Sequence, residues 1–108
     1  MQTKRKKAKK SVPAATTVVV MRLYVAGSAP NSARAIANLE TICKRYLKSN
    51  YELEIVDVFE EPQRALAEGV LVTPSLSKLS PIPTSKVVGN LSDEKAVLLA
   101  LGLKGKKK

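Results

Sequence analysis

The side chains that could do chemistry follow an apolar run near the start of the chain, in the stretch AGSAPNSARA, residues 26–35. Ser28 and Asn31 hold the two positions at which disulfide oxidoreductases place Cys-x-x-Cys, where the N-terminus of a helix stabilises a thiolate. The chain of 108 residues has one cysteine, Cys43, and no histidine. An intramolecular dithiol cycle, a metal site built from several cysteines and a nucleophile activated by histidine are therefore excluded. We expect no catalytic residue, no cofactor and no bound metal.

Two further side chains have structural interpretations. Asp57 ends an apolar strand pattern, and a buried carboxylate at such a place can relay protons to a thiol pair. Because there is no pair to serve, we interpret Asp57 as structural. Cys43 falls on the apolar stripe of the helix that follows the turn, which favours a thiol packed in the core over a redox sensor. The alternative hypothesis, an oxidoreductase that uses Cys43 alone, predicts that the protein reduces insulin disulfides.

Basic residues at the two ends account for the whole net charge of +10. Six lysines and arginines lie at residues 4–10 and four lysines at 104–108, whereas residues 11–103 hold nine basic and nine acidic side chains. Runs of like charge repel one another and bury nothing, so we predict disordered basic tails at 1–16 and 104–108 around one domain at 17–103. We interpret the tails as solvated ends, because no aromatic residues interleave with the lysines. Contact with nucleic acid or another polyanion is the alternative.

The first half of the domain predicts strand, helix, strand and helix in turn. TVVVMRLYVAG is nearly continuous in apolar character, which predicts a strand buried on both faces. Residues 31–48 place apolar side chains at helical spacing and predict a helix capped by Asn31 or Ser32. The stretch YELEIVDVF predicts a second strand from Tyr51, parallel to the first and beside it. EEPQRALAEG then predicts a helix that ends at Gly69.

The second half predicts a hairpin and a helix. PSLSKL and TSKVVG have the composition of short strands, and the proline-rich SPIP between them suits the turn of an antiparallel hairpin. Ser92 is the predicted N-cap of a helix in EKAVLLALGL, with acidic residues in its first turn and Gly102 at its end. The order βαβαββα, with the last two strands antiparallel, is that of the thioredoxin-like α/β fold.

The middle of the chain carries a resemblance to thioredoxins. EIVDVFEEPQRALAEGVLVTPSL is similar to the centre of that fold, with a Val-Asp-Val strand end, a helix begun by proline and Thr-Pro before a strand. In thioredoxins the Thr-Pro bond is cis and the proline faces the active-site turn. The resemblance therefore implies a cis peptide bond at Thr73–Pro74.

A narrower resemblance covers residues 21–103. LYVAGSAPNSARAIANLE, YELEIVDVFEEPQRA and LVTPSLSKLSPIPTSKVVGNLSDEKAVLLALG resemble the KaiB family of circadian-clock proteins, most distinctively in LYVAGSAPNS and GNLSD. The resemblance implies a protein that is not an enzyme and that binds the hexameric ATPase KaiC, altering its phosphorylation and ATPase cycle. In clocks such proteins also sequester the activator KaiA and compete with the thioredoxin-like sensor domain of a histidine kinase.

The same resemblance implies a second architecture. KaiB proteins form a tetrameric ground state in which the chain from about Glu60 onward becomes helix, helix and strand, with residues 97–103 in the strand. Clock members can have glycine where this chain has Ala100 and an acidic residue where it has Gly102. Alanine in place of glycine favours helix by about 1 kcal/mol, a factor of about five. We therefore expect the thioredoxin-like state, with the ground-state fold as the alternative.

The resemblance also indicates partner-binding residues, for each of which a solvated or structural role is the alternative. Asn31 and Arg34 match the family's P-N-S-x-R at the start of the first helix. On the second strand, clock members tend to have a small residue and a lysine in place of Glu52 and Glu54, a charge change that would alter the preferred partner. The complete candidate set is Asn31, Arg34, Tyr51, Glu52, Glu54, Lys86, Gly89 and Asn90.

The leading hypothesis is a KaiB-like regulator of a KaiC-type ATPase, in a circadian, timer or stress role. The alternative is a thioredoxin-like sensor module that acts on a histidine kinase in trans. A KaiA-like protein and self-association into dimers or tetramers are further candidate partners. Nothing in the sequence resembles a signal peptide, and no apolar run approaches the roughly 20 residues of a membrane span, so we expect a cytoplasmic protein.

Overall fold

The computed structural model describes residues 18–103, so the predicted tails, and Thr17 at the predicted domain boundary, lie outside the described residues. Within residues 18–103, four strands and three α-helices follow one another in the predicted order βαβαββα. The first α-helix continues directly into a short π-helical segment. The elements are β1 (Val19–Val25), α1 (Pro30–Ile42), the π-helical segment (Cys43–Leu47), β2 (Tyr51–Asp57), α2 (Pro62–Ala67), β3 (Ser75–Ser80), β4 (Ser85–Val88) and α3 (Glu94–Ala100).

The strands form one sheet in the order β2-β1-β3-β4. β1 and β2 are parallel, whereas β3 is antiparallel to both β1 and β4. The predicted thioredoxin-like topology is therefore confirmed. In the alternative ground state the stretch at residues 97–103 would be a strand, but here α3 includes residues 97–100.

The two faces of the sheet bury unequal cores because side chains alternate along β1. Val19, Met21, Leu23 and Val25 face α1 and α3 within a cluster of fourteen buried residues. Tyr24 faces α2 in a cluster of three, with Val56 and Ala65. The full larger cluster is Val19, Met21, Leu23, Val25, Ala35, Leu39, Ile42, Cys43, Leu47, Leu76, Leu91, Val97, Leu98 and Leu101.

The prediction that β1 is buried on both faces is wrong for its first half. Val20 and Arg22 on the α2 side are only partly buried, whereas Tyr24 further along is fully buried. α2 has six residues and packs over Tyr24, so it leaves the earlier part of this sheet face uncovered.

Both predicted helix caps need correction. α1 begins at Pro30, and its N-cap is Ala29, which makes no side-chain hydrogen bond. Ser32 is instead buried, and its hydroxyl accepts a hydrogen bond from the Ala26 N–H at 3.0 Å, which ties the turn to the helix. At α3 the cap is Asp93, whose carboxylate accepts from the Ala96 N–H at 3.2 Å, one position beyond the predicted Ser92. At α3 the local pattern located the helix but missed which neighbouring polar residue meets the free N–H groups, whereas at α1 no side chain caps the helix.

The long helix predicted over residues 31–48 changes its winding before it ends. α-Helical geometry stops at Ile42, and residues 43–47 continue as a π-helical turn. Lys48 then terminates the segment with φ of 59°. Gly69 and Gly102 follow α2 and α3 with φ of 73° and 81°. Residues with a Cβ adopt this left-handed backbone conformation only at a cost in free energy.

Candidate functional site

One end of the sheet gathers most of the loops that could contact a partner. β1 and β2 end there, β3 begins there and β4 ends there, because Val25 pairs with Asp57, Tyr24 with Ser75, and Ser75 with Val88. The turn at residues 26–29 leads into α1 from the same end. Loops at one end of a rigid sheet are the usual location of binding residues in folds of this kind.

Asp57 holds two of these loops together. Its Oδ1 atom accepts hydrogen bonds from the backbone N–H of Gly27 at 3.2 Å and of Phe59 at 2.8 Å. The Phe59 ring would lie 3.3 Å from a Cβ added at Gly27, so glycine at this position allows the ring to sit against the turn. Gly27 also has φ of 56°, which favours glycine on conformational grounds. These contacts give Asp57 a loop-organising role.

Pro74 sits at the same end. The Thr73–Pro74 peptide bond is cis, and so are the bonds before Pro81 and Pro83 in the β3–β4 hairpin. The Pro74 carbonyl accepts a hydrogen bond from the Gly89 N–H at 2.9 Å, which fixes the start of β3 against the end of β4.

Large apolar side chains are exposed around this end of the sheet. Phe59 is 74% exposed and Leu71 is 93% exposed. Val72 and Val88 are more than half exposed as well. Exposed apolar side chains at one end of a fold are candidates for contact with a partner. We call the set Phe59, Leu71, Val72 and Val88 the docking surface.

The docking surface was missed in the sequence because Leu71 and Val72 belong to no periodic pattern, whereas Phe59 and Val88 lie near the ends of predicted strands. Leu71 and Val72 lie in the run VLV between Gly69 and Thr73, which is apolar enough to be taken for the approach to a strand. The structure leaves that run as a loop in which only Val70 packs inward. An apolar run between a helix-ending glycine and a Thr-Pro pair was the available signal.

Four of the predicted partner-binding residues lie at this end. Asn31 and Arg34 are exposed on the first turns of α1, and Gly89 and Asn90 follow β4. The Asn38 side chain donates a hydrogen bond to the Asn90 carbonyl at 2.8 Å, which ties the segment after β4 to α1.

The other four lie elsewhere, so the structure does not gather the predicted set into one surface. Tyr51 begins β2 at the opposite end of the sheet and packs against the larger core. Glu52 is exposed on β2. Lys86 on β4 donates from its Nζ atom to the Glu68 carbonyl at 3.3 Å. Glu54 is at the centre of an ion cluster.

The Glu54 carboxylate binds two arginines. Arg64 on α2 donates to both of its oxygens, at 2.7 and 2.8 Å, and Arg22 on β1 donates to one of them at 3.0 Å. Arg64 also pairs with Glu61 at 3.1 Å, and Arg22 approaches Glu68 at 3.7 Å. The hydrogen bonds from Arg64 and then Arg22 lower the pKa of Glu54 to about 2. We call this set of five residues the ion cluster.

The turn that replaces Cys-x-x-Cys carries no thiol chemistry. Cys43 is fully buried in the larger core, and burial, with a smaller contribution from Glu40, raises the pKa of its thiol to about 11. A thiol with that pKa is protonated at neutral pH and is a poor nucleophile. Among residues 18–103 no group of three or more histidine, cysteine or acidic side chains could hold a metal ion. No helix within that range is long and apolar enough to cross a membrane.

Comparison with known sequences gives a consistent result. A sequence model of the KaiB domain matches residues 22–103. A Synechocystis sp. protein named circadian clock protein KaiB3 is 44% identical over 85 residues, which span 79% of this chain and 83% of that protein. A Picosynechococcus sp. protein named circadian clock oscillator protein KaiB is 45% identical over 84 residues, or 78% of this chain and 81% of that protein.

Comparison with solved structures gives the fold. The N-terminal domain of Synechococcus elongatus SasA superposes with a TM-score of 0.68 at 20% identity, covering 94% of this chain and all of that domain. Oxidised mitochondrial thioredoxin 3 of Saccharomyces cerevisiae superposes with a TM-score of 0.65 at 15% identity, covering 80% of this chain and 78% of that one. At these identities the likeness establishes a thioredoxin-like architecture.

Proposed function

The chain belongs to the KaiB family of circadian clock proteins, and from that premise we propose that it is a non-enzymatic regulator of a KaiC-type hexameric ATPase. It binds the ATPase and modulates its phosphorylation and ATPase cycle, in a circadian, timer or stress role. The observation that carries the proposal is the match of the KaiB domain to residues 22–103, nearly all of the described chain.

The surface chemistry supports binding. The docking surface exposes four large apolar side chains around loops that Asp57 and Pro74 hold in place. Apolar anchors surrounded by polar side chains are the usual core of a protein interface. Asn31 and Arg34 at the start of α1 supply polar neighbours at the same end.

The absence of enzymatic activity is part of the proposal. The sequence contains no histidine, and its single thiol is buried with a raised pKa. The turn positions that would hold a redox pair carry Ser28 and Asn31. This composition supports a binding role, because neither thiol exchange nor histidine-assisted nucleophilic catalysis has the groups it requires.

Size-exclusion chromatography with light scattering tests the proposal, using the protein alone and with the KaiC homologue of its own organism under ATP and under ADP. We expect co-elution near one copy per ATPase subunit in at least one nucleotide state. The mass of the protein alone reports whether it starts as a monomer or a larger oligomer. The absence of a complex in every nucleotide state would refute the proposal.

A pair of matched variants locates the contact. Leu71→Ser removes an exposed apolar side chain from the docking surface, whereas Ile82→Ser removes one that is 82% exposed in the hairpin at the opposite end of the sheet. We expect Leu71→Ser to weaken the complex at least fivefold and Ile82→Ser to leave it unchanged, because truncating an apolar anchor of an interface costs more than about 1 kcal/mol. Equal effects would place the contact elsewhere.

The alternative from the sequence, a sensor module that acts on a histidine kinase in trans, is favoured by one observation. The fold superposes along its length on the N-terminal domain of SasA. Co-elution with a histidine kinase but with no KaiC homologue would select that alternative. Contact with a KaiA-like protein, self-association, polyanion binding by the tails and a cytoplasmic location remain predictions.

A further inference from the structure

α2 has little apolar attachment to the rest of the molecule. Ala65 is its only buried residue, and Leu66 beside it is 77% exposed. The core beneath it consists of Tyr24, Val56 and Ala65, with Val58 and Val70 packed at its edges. Burial of three side chains contributes far less to the stability of a segment than the fourteen-residue core on the other face.

Charged contacts hold both ends of α2 to the sheet. Near its start, Arg64 binds Glu54 on β2 through two hydrogen bonds of 2.7 and 2.8 Å. Past its end, Glu68 lies 3.7 Å from Arg22 on β1, and its carbonyl accepts from Lys86 on β4. The helix thus crosses the sheet from β2 to β4 between two polar attachments.

From this arrangement we infer that α2 is a lid whose closed position depends on the ion cluster, so that ionic strength sets how often the segment at residues 58–72 opens. Phe59, Leu71 and Val72 of the docking surface belong to that segment. Opening of the lid therefore dismantles most of the docking surface. This last consequence rests on the proposed function, whereas the lid itself does not.

Salt is the natural probe of the lid. Surface ion pairs weaken as the Debye length falls from about 10 Å at 0.1 M salt to about 3 Å at 1 M. Apolar burial involves no charges that salt could screen, so the two kinds of attachment respond differently to sodium chloride. A segment held by charge should open more at high salt, while the larger core should not.

The test is amide hydrogen exchange of the protein alone at 0.05 M and 1 M sodium chloride, read over residues 58–72 and over β1 and α1. We expect exchange in residues 58–72 to be about fivefold faster at high salt, the effect of losing ion pairs of ordinary strength. We expect no comparable change in β1 or α1. Salt-independent exchange in residues 58–72, or protection there equal to that of β1, would overturn the lid.

A variant and its control separate the ion cluster from charge in general. Arg64→Met should accelerate exchange in residues 58–72 at low salt and reduce its salt dependence, because only the Arg22 pairs of the ion cluster remain. Arg45→Met removes the same charge from the Arg45–Glu94 pair on the α1 and α3 side, at 3.3 Å, and should leave residues 58–72 unchanged. Glu54→Gln supplies a second route if Arg64→Met fails to fold. Equal acceleration by Arg64→Met and Arg45→Met would overturn the role of the ion cluster.

Binding to the KaiC homologue is then measured for Arg64→Met. If residues 58–72 show the expected salt-dependent exchange but neither the protein nor any variant binds the KaiC homologue, the proposed function is rejected and the lid proposal stands. If Arg64→Met accelerates exchange but neither this substitution nor salt changes binding, the lid and the proposed function both stand. The inference that opening of the lid dismantles the docking surface would then be overturned.

Discussion

The two faces of the sheet are built in different ways from one alternating strand. On one face, β1 contributes four side chains to a fourteen-residue core beneath α1 and α3. On the other, it contributes Tyr24 to a three-residue core and Arg22 to the ion cluster beneath α2. The first face is stabilised by apolar burial, which is insensitive to salt, whereas the second depends on charges. The face with the weaker attachment is also the one whose loops carry most of the docking surface.

The contrast accounts for how the molecule combines a rigid frame with an adjustable contact. Elements that change position during binding are drawn from the least stable parts of a fold. Here the thin core and the six-residue length of α2 both occur on the same face. The stable face keeps the sheet in place while the other face opens and closes.

The largest effect on stability is expected from a substitution that creates a cavity in the core of the stable face. Leu39 is fully buried, and Leu39→Ala should lower the free energy of unfolding by about 2–5 kcal/mol, because transfer and cavity terms add. Leu66→Ala on the exposed side of α2 should change it by about 0.5 kcal/mol or less. Urea denaturation followed by circular dichroism measures both. Similar losses for the two variants would contradict the asymmetry.

The cap of α3 gives a smaller effect on the same face. Asp93→Ala removes the carboxylate that accepts from the Ala96 N–H and should cost about 1 kcal/mol. Ser92→Ala, one residue earlier, should be nearly neutral, because that side chain caps nothing in the helix. Thermal melting of the two variants checks the assignment, and the opposite order would restore the cap predicted from the sequence.

Periodicity predicted most of the fold, and the misses have a common cause. The order of elements, the parallel first pair of strands and the helix ends at Gly69 and Gly102 follow from local pattern and turn chemistry, and the structure has all of them. The choice between Ser92 and Asp93 as a cap depends on backbone dihedrals that a pattern does not contain. The partial exposure of Arg22 depends on where α2 crosses the sheet, which is a tertiary property.

The site was harder to predict than the fold for a related reason. Asn31, Arg34, Gly89 and Asn90 come from segments that the fold brings to one end. The partners of Glu54 lie 32 residues before it and 10 residues after it in the chain, so its role inside the molecule could not be seen in the strand pattern alone. Leu71 and Val72 follow no period, and only exposure in the folded chain identifies the apolar docking residues as a group.

The smallest expected effect is the pH dependence that Glu54 gives to the charged face. Hydrogen bonds from Arg64 and then Arg22 lower the pKa of Glu54 from 4.5 to about 2. A carboxyl group with a lowered pKa stabilises the folded state fully above its unfolded pKa, near 4.5, and loses that contribution as pH falls towards 2. The side chain is 49% exposed, so screening limits the contribution to about 1 kcal/mol or less.

Glu54→Gln isolates this contribution from the other carboxylates. The difference in free energy of unfolding between the protein and Glu54→Gln should be largest at pH 6–7 in low salt and should shrink as the pH falls from about 4.5 to about 2. In 1 M salt the difference should be reduced at every pH, because screening weakens both arginine contacts. Urea titrations at several pH values measure it. A difference that stays constant with pH would mean that shape and packing at Glu54, and not its charge, hold α2 to the sheet, and the contrast between the two faces would then lose its electrostatic basis.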